Sequence, residues 1–156
     1  MNIAFYNSPI GKIQIEYSGV VISSLIFIEE KSQEKNIPDP IKPLFLQLDE
    51  YFAGGRKKFD LNLDLTGTDF QKKVWDCLLE IPFGQTISYM DLAKKLGDPK
   101  TIRAVGNANG KNPVSIIVPC HRVVGSDGSL TGYAGGLWRK EWLLNHEKKH
   151  KQLSLF

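Results

Sequence analysis

The spacing of apolar residues lays out the chain. Ile13, Ile15 and Tyr17 alternate with polar residues, Ser18-Gly19 supplies a turn, and residues 21–28 form a β-rich run. Together they predict a hairpin. Residues 29–43 are charged and carry Pro38, Pro40 and Pro43, which predicts a loop. Leu44, Leu48, Tyr51 and Phe52 then recur at helical spacing, and Gly54-Gly55 ends that helix. Phe59, Leu61, Leu63 and Leu65 alternate with Asp60, Asn62 and Asp64, the pattern of a half-buried strand. The first part of the chain is thus a small α+β unit with no obvious chemistry in it.

From Thr68 the period becomes helical. Thr68 and Gln71 make a capping-box pattern, and Phe70, Val74, Cys77, Leu78 and Ile81 fall on one face. Cys77 is expected in the core, since a free cysteine packs as a small hydrophobe. Ser88 and Asp91 cap a second helix that carries Leu92, Ala93 and Leu96 and stops at Gly97. Pro99 suits the first turn of a third helix, which runs to about Asn109-Gly110. Two short helices joined at Gly97-Asp98 are a helix-turn-helix candidate. The later one carries Arg103 with the small residues Ala104, Gly106 and Ala108. Glycine inside a helix costs about 1 kcal/mol against alanine. Such a face either packs closely on a neighbouring helix or lies against DNA. Residues 114–118 form another β-rich run, read as a strand leading into Pro119-Cys120-His121.

Length and composition narrow the class. A chain of 156 residues fits one large domain or two small ones. The expected division is residues 1–65, 66–147 and a basic tail, 148–156. No apolar run reaches the roughly 18–20 residues that span a bilayer. The start lacks a basic stretch followed by an apolar one, so no signal peptide is expected. With Cys77 and Cys120 alone, a disulfide framework is not expected either, and a reducing cytoplasm fits better. Charge is uneven: residues 1–65 hold seven basic and nine acidic side chains, and residues 66–156 hold thirteen and eight. The second part is the one that would meet a polyanion.

Val118-Pro119-Cys120-His121-Arg122-Val123 is the segment with chemistry. A thiol becomes a strong nucleophile as thiolate, and a nearby imidazole or positive charge favours that form. In an extended strand, neighbours such as Cys120 and His121 point to opposite faces. They can cooperate only across a turn, which Pro119 favours, or through a water. His121 also needs an acceptor on its far nitrogen to orient it. The alternative is a buried cysteine beside a surface histidine.

Pro119-Cys120-His121-Arg122-Val123, Tyr133-Ala134-Gly135-Gly136-Leu137 and Lys140-Glu141-Trp142-Leu143-Leu144 resemble the O6-alkylguanine-DNA alkyltransferase family, the methylated-DNA–protein-cysteine methyltransferases. So do residues 84–89, Arg103-Ala104-Val105-Gly106 and Asn112-Pro113, in the family's order. The resemblance implies an α+β fold. A small ribonuclease-H-like unit comes first, then a mostly helical domain with the helix-turn-helix and the active-site cysteine. It implies single-turnover transfer of an alkyl group from O6-alkylguanine, and from O4-alkylthymine, in double-stranded DNA. Cys120 would be the acceptor. His121 would be its base through a bridging water, and Glu147 would orient His121. Asn112 would hold the turn before the active site. Tyr89 would press on the rotating phosphate and reach the lesion oxygen. Arg103 would fill the gap left by the flipped nucleotide. Thr101, Ala104, Gly106 and Asn109 would meet the minor groove. Tyr133, Ala134, Gly135 and Val123 would line the base pocket. Ala134 stands where some relatives have serine, which bears on lesion range only if that hydroxyl matters. No cofactor or metal is implied. The N-terminal part lacks the cysteines of the relatives that bind zinc, and His146 and His150 read as solvated tail residues.

The last five residues, Gln152, Leu153, Ser154, Leu155 and Phe156, follow Lys148-Lys149-His150-Lys151. They resemble the motif by which bacterial replication and repair proteins dock on the replicase sliding clamp. This motif argues for a bacterial source, and a cytoplasmic, nucleoid-associated monomer is expected. Three other classes remain to be separated. They are a sensor that binds alkylated DNA without repairing it, a cysteine hydrolase, and a transcription factor with a passenger cysteine. Alkyl transfer to the protein excludes the sensor and the transcription factor, and turnover of a small ester favours the hydrolase.

Overall fold

The computed structural model describes residues 1–30 and 36–151. Three antiparallel strands, β1 (Asn2–Ser8), β2 (Gly11–Ser18) and β3 (Val21–Ile28), open the chain. The β2–β3 hairpin follows the alternation of Ile13, Ile15 and Tyr17, which all point into the core. β1 has no such signature, because Ile3 and Phe5 on its outer face are as apolar as Ala4 and Tyr6 on its inner face. Helix α1 (Lys42–Phe52) covers the inner face, and Tyr6 donates from its hydroxyl to Asp49 Oδ1 at 2.6 Å. The helix starts before Leu44 because Pro43 sits in the first turn, where a missing N–H costs nothing. The alternation at residues 59–65 yields only a two-residue strand, β4 (Asn62–Leu63), parallel to β3.

The helical part starts with α2 (Asp69–Leu78). Its capping box is complete: Thr68 Oγ1 accepts from Gln71 N, and Gln71 Oε1 accepts from Thr68 N. A two-residue strand, β5 (Ile87–Ser88), leads into α3 (Tyr89–Lys95), which Ser88 caps. A 3-10 turn at Pro99–Thr101 then opens α4 (Ile102–Gly110). α4 packs on α2, where Trp75 Nε1 donates to Ala108 O at 2.9 Å in the interior. A further short strand, β6 (Val123–Val124), pairs parallel with β5. The long helix α5 (Leu137–His150) closes the described chain. One continuous core runs from the sheet through α1 to α2, α3, α4 and α5. Cys77 packs against its edge and is only half-buried.

Residues 114–118 are not a strand. Leu25 of β3 takes the segment by its start, donating to Pro113 O and accepting from Ser115 N, each at 2.9 Å. Val114 makes a single bridge there and the chain then reverses. Ile116 has φ 71°, a region that a β-branched residue rarely enters. Val118 N returns to Val114 O at 3.1 Å, and Cys120 N to Val118 O at 2.8 Å. The side chain of buried Asn112 fixes the reversal, donating to Val118 O at 2.7 Å and accepting from Val114 N at 3.0 Å. The β-propensity of Val, Ile and Val here reflects burial, not pairing.

Candidate active site

Pro119 ends the reversal and Cys120–Arg122 form one 3-10 turn. That turn, not a strand, brings Cys120 and His121 into one neighbourhood. Cys120 is buried, with 6% of its surface exposed. Burial pushes its thiol up, while the Asn112 side chain and the Lys140 charge pull the other way. Desolvation wins, so the resting group is a thiol that needs its proton removed to react.

His121 is fully buried, and its Nε2 lies 2.7 Å from Glu147 Oε2. A carboxylate only accepts, so this contact assigns the proton of a neutral ring to Nε2 and leaves the lone pair on Nδ1. His121 Nδ1 has no hydrogen-bond partner among the described residues. Glu147, in the last turn of α5, accepts four further bonds, one of them a long one from Gly84 N to Oε1 at 3.4 Å. Arg122 donates from Nε to Oε1 at 2.8 Å and from Nη2 to Oε2 at 3.1 Å, and Tyr51 donates from its hydroxyl to Oε2 at 2.6 Å. Burial works against the charge on Glu147, but His121 and Arg122 outweigh it and hold the carboxyl well below the usual carboxylate range. Arg122 also donates from Nη1 to Ile81 O at 2.6 Å, which anchors the guanidinium.

The β5–β6 pair carries Tyr89, at the start of α3, to the active-site turn. The Tyr89 hydroxyl donates to Thr131 O at 2.8 Å. Lys140 is fully buried and donates from Nζ to Thr131 O at 2.9 Å, to Gly132 O at 3.3 Å and to Tyr89 Oη at 3.4 Å. No carboxylate is among these partners, and burial pulls the Lys140 ammonium down to about 8, against an opposing pull from Cys120. Tyr133 and Gly135 are half-buried and Ala134 is exposed, all in the loop before α5.

The residues singled out in the sequence divide clearly. On α4, Arg103 and Ala104 are exposed, and Gly106 lies beneath the Tyr89 ring. Thr101 is half-buried where α4 begins. Asn109 is not on that face: it is 4% exposed and donates from Nδ2 to Cys120 O at 3.3 Å, so it supports the active-site turn. Asn107, four residues after Arg103, takes the exposed position instead. Val123 is fully buried in the core through β6, so it does not line an open pocket. His146 is buried rather than solvated, with Nε2 2.7 Å from Tyr51 O and its ring stacked on Trp142. Gln152, Leu153, Ser154, Leu155 and Phe156 lie outside the described residues. The expectation of no chemistry in the first part is also corrected, because Tyr51 of α1 is a direct partner of Glu147. Nothing in the sequence distinguished Tyr51 from a core aromatic. Arg122 and Lys140 lay within recognisable motifs, but their contacts depend on tertiary packing.

Residues 1–65 match the description "6-O-methylguanine DNA methyltransferase, ribonuclease-like domain", and residues 69–149 match its DNA binding domain. The chain is 48% identical over 154 residues to a methylated-DNA–protein-cysteine methyltransferase of Mycobacterium bovis, covering 96% of this chain and 93% of the relative. A protein of the same name from Methanosarcina acetivorans is 46% identical, covering 94% and 98%. The fold superposes on the Mycobacterium tuberculosis O6-methylguanine methyltransferase with a TM-score of 0.87 at 45% identity, over 99% of this chain and 98% of that one. For the Mycobacterium tuberculosis protein in complex with DNA, the values are 0.85 and 49%, over 94% and 92%. The chain belongs to the 6-O-methylguanine DNA methyltransferase family.

Proposed function

We propose that this protein repairs O6-alkylguanine, and O4-alkylthymine, in double-stranded DNA by moving the alkyl group onto its own Cys120, once per molecule. The observation that carries this reading is the buried relay: Cys120 and His121 share one 3-10 turn, and Glu147 holds the His121 ring. His121 Nδ1, reaching through one water, takes the thiol proton as general base. Glu147 stabilises the imidazolium that forms, and Arg122 and Tyr51 keep Glu147 charged and fixed. The thiolate attacks the alkyl carbon, a sulfur–carbon bond forms, and the carbon–oxygen bond to the base breaks. Its electron pair passes to the base, where a donated hydrogen bond stabilises the developing charge, and the proton taken from Cys120 reaches the base through solvent, which restores neutral His121. Tyr89 is the donor. Its hydroxyl must leave Thr131 O to serve, and Lys140 keeps that carbonyl satisfied when it does.

The target atom is stacked inside the duplex, so the nucleotide must rotate out. The exposed face of α4 suits close minor-groove contact without reading sequence, and Arg103 takes the place of the departed base. Thr101, Ala104 and Gly106 are the close-contact positions, and Tyr89 meets the rotating phosphate. Tyr133, Ala134 and Gly135 form the wall of the base pocket. The excess of basic residues after residue 65 supports binding to a polyanion. Methyl transfer from a labelled O6-methylguanine duplex tests the reading. At tenfold excess DNA, label should stop at one methyl per protein. Continued turnover, or release of methanol, would contradict it.

The tail, Gln152 to Phe156, supports docking on the bacterial replicase sliding clamp through Leu153, Leu155 and Phe156. Deleting it should abolish clamp binding in a titration and leave alkyl transfer intact; unchanged clamp affinity would refute this. A cytoplasmic, nucleoid-associated monomer is the setting that fits these features. Among the described residues no helix is long and apolar enough to cross a membrane.

A further inference from the structure

Arg139, on the first turn of α5, is a buried cation outside the Cys120–His121–Glu147 relay, with 4% of its surface exposed. Its Nε donates to Ile10 O at 2.7 Å, and its Nη1 donates to Gly135 O at 2.9 Å and to Glu29 Oε1 at 3.0 Å. The guanidinium lies over two rings, 4.8 Å from the centre of Phe27 and 4.5 Å from that of Trp138. Two glycines keep this space open. A Cβ at Gly11 would stand 2.6 Å from Arg139 Nη2, and one at Gly135 would stand 2.9 Å from ring carbons of both Phe27 and Tyr133.

A buried charge persists only where it is well partnered. The carboxylate here belongs to Glu29, whose side chain is 84% exposed, so the ion pair contributes little. The two backbone carbonyls and the two rings are the partners that matter. They belong to different parts of the molecule. Ile10 sits in the turn between β1 and β2, and Phe27 is on β3. Gly135 sits in the loop before α5, two residues after Tyr133. The next side chain on α5, Lys140, grips the other end of the same loop at Thr131 and Gly132. Tyr133 and Ala134 are therefore held between two consecutive cations. One is anchored beside Tyr89, and the other is anchored on the N-terminal sheet.

We propose that Arg139 is a positioning residue for alkyl transfer, using the N-terminal sheet as a fixed base against which residues 133–135 are held at the base pocket. The inference rests on the reading that this loop lines the pocket. A planar fork can bond two carbonyls while its face meets aromatic rings, and a lysine ammonium cannot. Displacing a positioning group by about 1 Å can cost on the order of a hundredfold in rate.

The test is single-turnover methyl transfer from an O6-methylguanine duplex, with protein concentration varied to separate complex formation from the saturating rate. Binding to undamaged duplex and the unfolding temperature are measured alongside. Arg139→Lys should lower the saturating rate at least tenfold while undamaged-duplex binding stays within twofold, because the exposed face of α4 is untouched. Trp138→Ala, at a residue 56% exposed, removes one of the two rings against the guanidinium without opening the core. It should slow the saturating rate at least threefold with little change in unfolding temperature. Glu29→Gln should stay within twofold. A purely structural role would lower the unfolding temperature of Arg139→Lys and leave the rate per folded molecule unchanged, which overturns the proposal. So does a parallel loss of undamaged-duplex binding. Should Arg139→Lys fail to fold, Trp138→Ala decides alone, and a wild-type rate there overturns it. Absence of methyl transfer in the unsubstituted protein would defeat the functional reading instead.

Discussion

Glu147 sits in the last turn of α5, where the helix dipole disfavours an acid. Its charge survives because Arg122, His121 and Tyr51 all meet it in the interior. Lys140 is the opposite case, a buried cation whose hydrogen-bond partners at Tyr89, Thr131 and Gly132 are neutral oxygens. Burial brings it down to about 8, whereas an unfolded lysine holds its proton to about 10.4. Between those values the unfolded chain binds the extra proton. On this group's account, stability is lowest below pH 8 and rises as pH climbs toward about 10. Its effect on the reaction runs the other way, because its charge favours the Cys120 thiolate. The saturating transfer rate of the native protein should therefore level off or fall from pH 8 to pH 9.5 as that charge is lost. Lys140→Met should be slower at pH 7 yet keep rising with pH as the thiol ionises. Parallel pH profiles for the two proteins would show that Lys140 does not act on the thiol.

Residues 112–122 show how an element can defeat its own propensities. Val114, Ile116, Ile117 and Val118 favour a strand, yet two hydrogen bonds from the Asn112 side chain and a positive φ at Ile116 impose a reversal. A backbone strained in this way costs about 1–3 kcal/mol and persists only where its surroundings hold it. Asn112→Ala leaves the buried Val114 N–H without that partner, at about 1–3 kcal/mol, while Val118 O keeps its bond from Cys120 N. It should lower the unfolding free energy by roughly 1–3 kcal/mol and slow transfer more than stability explains. A denaturant titration and a single-turnover assay check both, and an unchanged midpoint would rule out the holding role. The same contrast explains what could be read in advance. The α2 capping box and the β2–β3 alternation are local signals, so they were legible. The strand β1, apolar on both faces, and the reversal, governed by one side chain several residues away, were not.

Across the whole molecule, the N-terminal unit is part of the site's foundation. Its α1 supplies Tyr51 to Glu147, and its β3 holds the start of the active-site reversal through Leu25. A single core continues from the sheet into the helical part. Cys120 and His121 stand in a motif that the sequence displays directly, whereas Glu147 was expected at the site only through the family resemblance. Tyr51 and the exposed position of Asn107 could not be picked out, because each depends on how separate elements face one another. The burial of Asn109 could not be read from helical spacing either. The fold leaves two thiols with different prospects. Cys77 is half-buried, with its thiol pushed up by burial and with Glu80 and Asp76 adding to that shift. Cys120 shares its 3-10 turn with His121, whose ring meets Glu147. The decisive measurement is peptide mass after the protein is mixed with a duplex holding one O6-methylguanine. A single methyl adduct confined to the peptide with Cys120, and absent in Cys120→Ala, is the expected result. A methyl on the peptide with Cys77, or an unmodified protein that still binds the lesion, would contradict it.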